Sequence, residues 1–144
     1  MKPQQKNQSD FVFFKNYETR WRDNDVYHHM NNAVFYEYVD SIVNYWLFKS
    51  GALAVPQGPV IGLVVETKCN YFSPLKFPGL ILCGLALDNK SDSSVSYSVG
   101  LFNEKDSFVA AQASLVHVYV DSKSRRPVKL PVKLVDALKS LVTT

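Results

Sequence analysis

The sequence predicts an α+β domain in which a curved antiparallel sheet of about five strands wraps around one long helix. Three observations lead to this prediction. One segment after Asn32 is apolar around most of a helical circumference, and four segments with strand-like patterns follow it. Only short, turn-rich connections separate those four segments, which favours antiparallel pairing. A helix that is apolar on most sides needs a surface that surrounds it, and the sheet is the only candidate.

The first two elements are a strand and the long helix. Residues between Phe11 and Arg22 alternate in polarity, as in a half-buried strand. Asn31 or Asn32 is the predicted N-cap of the helix, and Gly51 marks its C-terminal end. The polar residues of the helix recur at three- and four-residue spacing and form one narrow stripe: Glu37, Asp40, Ser41 and Asn44.

The remaining elements are four strands and a short amphipathic helix, predicted at residues 59–72, 79–88, 94–103, 108–121 and 132–141. The third segment shows the pattern most clearly, because its apolar side chains alternate with serine or glycine: Val95, Tyr97, Val99 and Leu101. No repeat or linker interrupts the chain. We therefore expect a single domain over residues 1–144, with a flexible polar segment at residues 1–10.

Composition excludes several classes of function. The net charge of +3 is mild and the basic residues are scattered, which argues against nucleic-acid binding. The longest apolar run contains Glu37 and Asp40 and is too short to span a membrane, and the N-terminus lacks the apolar core of a secretion signal. Cys69 and Cys83 show no metal-type spacing and are expected to be reduced core residues. These features predict a soluble cytoplasmic protein.

Three segments resemble a known family: "RWRDNDVYHHMNN", "FYEYVD" and "HVYVDSKSRRPVKLP". In this order they resemble the hotdog-fold acyl-CoA thioesterases, particularly the 4-hydroxybenzoyl-CoA thioesterase group. Members show Asp-x-Asp, then a glycine, His-Val-Asn-Asn or a relative of it, and a helix with an acidic residue. Asp25 matches the second aspartate, His29 to Asn32 match the His-Val-Asn-Asn motif, and Asp40 matches the helix acid. His28 departs from the family, because it stands where the glycine is usual.

The resemblance covers roughly residues 12–131 and implies a hotdog fold and hydrolysis of an acyl thioester. Asp25 would be the nucleophile or the general base, and a backbone amide near Asn32 would donate to the oxyanion. His29 and Asp40 are further candidate catalytic residues, and Asn31 is a candidate substrate contact. The substrate would be a fatty or aromatic acyl thioester of CoA or of acyl carrier protein. No cofactor is implied beyond the CoA of the substrate, and the family's assembly implies a homodimer or homotetramer with the pocket at the subunit interface.

Each of these residues also has a structural interpretation. Asp23 and Asp25 are typical turn and capping residues, and Asn31 and Asn32 are favoured caps. Asp40 could face a water-filled seam, and His117, which alternates with apolar residues in a strand, is expected to be structural. A metal site at the two adjacent histidines is not expected, because side chains of neighbouring residues in an extended chain point apart.

Basic residues that could meet the phosphates of CoA occur in two places. The densest cluster, "KSRRPVK", contains Arg125 and Arg126 where the last strand leaves the sheet, and Lys90 lies in the turn between the second and third of the four later strands. A solvated basic loop is the alternative interpretation.

Two other functions remain open at this stage. The first is a hotdog hydratase or dehydratase, whose motif is roughly Gly-Asp-x-Asn-Pro-x-His. Asp23 and His28 have its separation, but its glycine, asparagine and proline are missing. The second is a hotdog module that binds acyl ligands without turnover.

Overall fold

The computed structural model describes residues 3–143 and confirms the predicted α+β architecture. Five antiparallel strands form one sheet in the order β1-β3-β4-β5-β2, curved around the long helix. The elements are β1 (Phe13–Glu18), α1 (Asn32–Ser50), β2 (Val60–Tyr71), β3 (Leu80–Lys90), β4 (Ser94–Asn103), β5 (Ala111–Asp121) and α2 (Val132–Leu138).

Two of the predicted strands are shorter in the structure. β1 ends at Glu18 rather than Arg22, because residues 21–23 form a single 3-10 turn. β5 begins at Ala111 rather than Phe108, because Phe108 forms a bridge with Asn7 instead. The first difference comes from local hydrogen bonds of that turn, and the second from a contact with a distant part of the chain, which local alternation does not encode.

The ends of α1 follow directly from the sequence. The Asn31 side-chain oxygen accepts a hydrogen bond from the Ala33 amide at 2.9 Å, so Asn31 is the N-cap. Gly51 ends the helix with a φ of 71°, a left-handed conformation that glycine adopts without steric cost. The predicted polar stripe is exposed, and the opposite side is buried against the sheet: Phe35, Tyr38, Val39, Ile42, Val43, Trp46 and Leu47.

The outer face of the sheet is partly covered by the N-terminal segment. Phe11 packs edge-on against Phe102 at 5.8 Å between ring centroids, and both are buried. Gly84 and Gly100 leave room for Phe11, since a Cβ at Gly100 would lie 2.6 Å from its ring. Lys6 donates from Nζ to Ser98 and accepts at its carbonyl from the Val109 amide. Residues 3–10 thus lie along the sheet. Residues 1, 2 and 144 are outside the described part, and the flexibility of residues 1–10 stays a prediction.

The sheet has two ends that matter for function. At one end, called the Asp25 end, are Glu18, Tyr71, Leu80, Asn103 and Ala111. At the other, called the Asp121 end, are Val60, Lys90, Ser94 and Asp121, whereas the short β1 begins at Phe13 opposite Leu85, in the middle of β3. β2 spans both ends as a 12-residue edge strand and pairs only with β5 among the described residues. Val64 and Val65 on β2 are exposed. No helix in residues 3–143 is long and apolar enough to cross a membrane.

Candidate active site

The segment between β1 and α1 forms a tight loop closed by Asp25. The Asp25 amide donates to the His29 carbonyl at 2.7 Å, and the Asp25 carbonyl accepts from the His28 amide at 3.1 Å. Asp25 Oδ1 accepts from the amides of Tyr27 at 2.8 Å and His29 at 3.3 Å. Within residues 3–143, Oδ2 has no hydrogen-bond partner. One carboxylate oxygen therefore fixes the loop, and the other is available to a ligand.

His28 lies at the turn of this loop with a φ of 63°. This left-handed conformation costs a residue with a Cβ about 1–2 kcal/mol relative to glycine. A glycine has no such cost, which explains why the family usually has glycine here. Histidine is tolerated at this position because the His28 side chain is exposed.

Asp25, His29 and Asn32 line one open groove of about 370 Å³ at the Asp25 end of the sheet. The first residue of α1 is Asn32, and its amide has no acceptor within the described chain, whereas the Ala33 and Val34 amides are both bonded to Asn31. The Asn32 N–H is therefore a free donor at the positive end of the helix dipole. Asn32 and Asp25, which carry this donor and the free carboxylate oxygen, line the same groove.

The opposite wall of the groove comes from the end of β2 and the segment that follows it. Phe35 and Tyr71 meet edge-on at 4.9 Å between ring centroids, and residues 72–74 complete the wall. Burial, assisted by the neighbouring Cys69 thiol, raises the pKa of Tyr71, so its hydroxyl is a neutral group. The sequence did not identify Phe35, Tyr71 or residues 72–74 as candidate site residues.

Asp23, two residues before Asp25, has a structural role. It is fully buried, and its carboxylate accepts hydrogen bonds from the Arg20 amide (2.8 Å), Arg20 Nε (3.0 Å) and the Tyr38 hydroxyl (2.5 Å). Burial alone would raise the pKa of Asp23, but the bonds from Tyr38 and Arg20 outweigh it and hold the pKa below its ordinary value. The Arg20 guanidinium also forms an ion pair with the Glu37 carboxylate at 2.8 Å, so this network links the end of β1 to α1.

The structure separates Asp40 from the Asp25 groove. Asp40 lies eight residues after Asn32, which is about 12 Å along the helix. It lines a different groove with Tyr17, Glu18 and Glu37, where its carboxylate accepts from the Asn44 side chain at 3.1 Å. Asn31 is occupied as the helix cap and does not line the Asp25 groove.

The three predicted coenzyme contacts lie at the other end of the sheet. Lys90 ends β3, and Arg125 and Arg126 follow β5 in a turn in which the Arg126 carbonyl accepts from the Asp121 amide at 2.9 Å. Asp121 lies the length of β2 from the Asp25 groove, roughly 35 Å at the rise of an extended strand, whereas Lys90, level with Val64 across the sheet, lies roughly 23 Å from it. Within one protomer the two arginines are therefore distant from Asp25.

No group of three or more histidine, cysteine or acidic side chains within residues 3–143 is arranged to hold a metal ion. The two cysteines are unpaired, with Cys83 buried and Cys69 half-buried. The polar residues that line the groove are Asp25, His29, Asn32, Tyr71 and Ser73.

Comparison with known proteins agrees with this geometry. A five-stranded antiparallel sheet curved around one long helix is the hotdog fold of the thioesterase-like proteins. The chain belongs to the thioesterase-like superfamily, whose sequence profile matches residues 19–138. No curated protein sequence is similar enough to count as a match.

Several solved structures share the whole fold. The PA5185 protein of Pseudomonas aeruginosa strain PAO1 is 40% identical with a TM-score of 0.94, over 98% of this chain and 99% of that one. The 1,4-dihydroxy-2-naphthoyl-CoA thioesterase Slr0204 of Synechocystis is 17% identical with a TM-score of 0.80, over 90% and 96%. The protein SAV2348 of Staphylococcus aureus, solved with CoA, is 15% identical with a TM-score of 0.82, over 92% and 86%. The latter two similarities establish the fold alone.

Proposed function

We propose that the protein hydrolyses the thioester of an acyl-CoA with a fatty or aromatic acyl group, releasing the free acid and CoA. One observation carries this proposal: Asp25 and Asn32 line the same groove, and each has a polar group, the carboxylate Oδ2 and the backbone N–H, that is left without a partner within residues 3–143. A carboxylate that activates the nucleophile and a donor that stabilises the oxyanion are the two groups that thioester hydrolysis needs.

Two routes use these groups. Asp25 Oδ2 attacks the thioester carbonyl to form a mixed anhydride, which water then hydrolyses, or it takes a proton from a water molecule that attacks directly. In both routes the carbonyl oxygen gains negative charge and accepts a hydrogen bond from the Asn32 amide. The carbon–sulfur bond breaks and the CoA thiolate leaves. The His29 side chain lines the groove, where we expect it to contact the thioester, while its amide holds Asp25. The reaction needs water and no cofactor.

The separation of the two ends of the sheet supports a two-fold dimer. β2 is a long edge strand with exposed valines, and an unpaired edge of this kind is usually covered. If two copies pair along β2 in antiparallel fashion, the Asp121 end of each lies beside the Asp25 end of its partner. In this dimer, Arg125 and Arg126 of one subunit meet the CoA phosphates of a thioester held at Asp25 of the other. Asn31 and Asp40 do not line the Asp25 groove of their own subunit, so in this dimer they would contact the substrate from the subunit interface.

CoA is the carrier that we favour over acyl carrier protein. A protein with this fold has been solved with CoA, and another with this fold is named for an acyl-CoA substrate. A cytoplasmic location, which the two unpaired cysteines favour, agrees with such a substrate. The hydratase alternative would need Asp23 as a catalytic acid. It loses support because the Asp23 carboxylate is buried and accepts hydrogen bonds from Arg20 and Tyr38.

Replacing Arg125 and Arg126 together by alanine is expected to raise KM for acyl-CoA several-fold and to leave kcat nearly unchanged. Both side chains are exposed, so each contributes a modest, salt-screened attraction to the phosphates. Steady-state kinetics at low salt measure the effect. The defect should shrink with the matching acyl-pantetheine, which has no phosphates.

A charge-matched control separates a local effect from a change in net charge. Lys133 and Lys139 are exposed residues of the C-terminal helical segment, and their double alanine variant loses the same charge. Its KM should equal that of the wild type. If the double arginine variant and the wild type have equal KM values for acyl-CoA, this turn is not part of the coenzyme site.

A heterodimer tests whether the site spans two subunits. One subunit carries Asp25→Asn, the other carries Arg125→Ala with Arg126→Ala, and two affinity tags select the mixed species. If each site combines Asp25 of one subunit with the arginines of the other, one of the two sites is intact, so KM returns to the wild-type value at about half of kcat. A site built within one protomer would instead retain the raised KM of the arginine variant.

A further inference from the structure

A small cavity lies at the Asp121 end, between the C-terminal half of α1, the loop 53–56 and the start of β2. Its volume is about 140 Å³, and its lining combines apolar side chains, among them Leu47, Leu53, Val55 and Val60, with the polar side chain of Asn44. No charged side chain lines it, and the buried histidine of the chain, His117, forms part of its surface. The Asp25 groove of the same protomer is at the other end of β2, so this cavity is a separate feature.

His117 belongs to a buried chain of hydrogen bonds. It is only 2% exposed, and its Nδ1 lies 3.0 Å from the Tyr119 hydroxyl, which lies 2.7 Å from the Tyr97 hydroxyl. Both tyrosines are fully buried. Gly62 on β2 makes room for the imidazole, because a Cβ there would lie 2.9 Å from Nδ1.

The hydrogen-bond directions in this chain follow from the need to give every buried donor an acceptor. The Tyr97 hydroxyl has the Tyr119 oxygen as its only partner among the described residues, so Tyr97 donates to Tyr119. Tyr119 then donates to Nδ1 of His117, which must be unprotonated. A neutral imidazole with an unprotonated Nδ1 carries its hydrogen on Nε2.

The Nε2–H group faces the cavity. Every fully buried side-chain nitrogen and oxygen within the described chain has a hydrogen-bond partner, yet Nε2 has none, so Nε2 must reach an accessible surface. The cavity is the surface to which His117 contributes. Burial also lowers the pKa of His117 to about 4, so the ring is neutral at physiological pH. The cavity thus offers the uncharged Nε2–H donor beside apolar side chains and the neutral side chain of Asn44, whose nitrogen already donates to Asp40.

We propose that this cavity binds a compact, uncharged, mainly apolar group that presents one acceptor oxygen, such as a ketone or ether, to His117 Nε2. The size agrees with this class, since an apolar cavity of about 150 Å³ accommodates a benzene ring. The neutral donor and the absence of a lining charge select against ions, which would lose their hydration without compensation. The acceptor would take the place of solvent as the partner of the Nε2–H group.

Two sources of such a group are possible in the protein, and they share this chemistry. One is the far end of an acyl group whose thioester lies at the partner's Asp25 groove, because antiparallel pairing along β2 brings that groove to this end of the sheet. The other is a free small molecule. The first source rests on the proposed function, whereas the binding itself does not.

Histidine ring NMR on the 15N-labelled protein tests the site with cyclohexanone as the probe. At pH 7, His117 should be the Nε2–H tautomer, and cyclohexanone should shift its Nε2 resonance in a saturable way. Exposed His28 and His29 are internal controls that should not move, and methylcyclohexane, of similar size but without an acceptor, should not shift Nε2 downfield. An Nδ1–H tautomer, or no saturable shift with cyclohexanone, would overturn the proposal.

Two variants complete the test. His117→Phe keeps the ring and removes the donor, so it should weaken cyclohexanone binding about threefold to tenfold and leave methylcyclohexane binding unchanged. Ala54→Leu adds bulk at the cavity wall and leaves the tyrosine chain unchanged, so it should abolish binding of both probes. This variant keeps the proposal testable if His117→Phe fails to fold. Unchanged cyclohexanone affinity in Ala54→Leu, or in a folded His117→Phe, contradicts the assignment.

Turnover then distinguishes the two sources. Competitive inhibition of acyl-CoA hydrolysis by cyclohexanone, absent in Ala54→Leu, assigns the cavity to the acyl group. Binding that leaves hydrolysis unchanged assigns it to a free ligand. Because binding is measured by NMR without turnover, a protein that fails to hydrolyse acyl-CoA still tests the cavity.

Discussion

Replacing Asp25 by asparagine is expected to lower kcat for the best acyl-CoA by about 10²-fold or more, with little change in KM. The asparagine Oδ1 can still accept from the Tyr27 and His29 amides, so the loop should keep its shape. What is lost is the free carboxylate oxygen, which acts only when the thioester reacts. Thiol release at saturating substrate measures the loss.

Asp106→Asn supplies the matched control, because Asp106 is exposed in the turn between β4 and β5 and its replacement makes the same change of charge. Its kcat should remain that of the wild type, and circular dichroism should be identical for all three proteins. A kcat within threefold of the wild type for Asp25→Asn would move the chemistry to another residue.

Asp23→Ala is expected to destabilise the fold by about 3 kcal/mol or more. The change leaves the Tyr38 hydroxyl and the Arg20 amide without the acceptor they share in a fully buried site. Partial exposure of Arg20 limits the loss, because its guanidinium can be rehydrated. Urea unfolding measures the free energy, and Glu37→Gln, which breaks only the exposed end of the network, should cost less than about 1 kcal/mol.

The same network predicts the direction in which the unfolding free energy changes with pH. The pKa of Asp23 is lower in the folded protein than its ordinary value of 3.8, so its contribution to stability is fully present above that value. The contribution is lost as the pH falls through the folded pKa. The difference in unfolding free energy between wild type and Asp23→Ala should therefore be constant from pH 7 to pH 5 and shrink below pH 4. A difference that grows on acidification would contradict this role.

Local sequence predicted those features that depend on local chemistry. The cap at Asn31 and the stop at Gly51 each need one residue type at one position, and the structure confirms both. The β4 pattern of Val95, Tyr97, Val99 and Leu101 identified the inner face, because alternation alone determines which side chains share a face.

Features that depend on distant contacts were not predictable in this way. Asp23 and Asp25 look equivalent in the sequence, and only the approach of Arg20 and Tyr38 makes Asp23 the buried one. Phe102 belongs to the face predicted to be polar and is buried because Phe11 returns to cover it.

The candidate site shows the same division. The resemblance grouped Asp25, His29 and Asn32, which share a groove, and the distribution of basic residues added Lys90, Arg125 and Arg126, which lie toward the opposite end of the sheet. The two groups can belong to one site only if a second copy of the chain brings them together, and the sequence of a single chain does not show that pairing.

Release of free thiol from a panel of short, medium, long and aromatic acyl-CoAs, at equal concentration, tests the central claim most directly. Thioester hydrolysis at the Asp25 groove predicts that the wild type turns over at least one acyl class, yields CoA and free acid in equal amounts, and loses this activity in Asp25→Asn. Binding of acyl-CoA without release of thiol from any member of the panel, or equal release by wild type and Asp25→Asn, would contradict it.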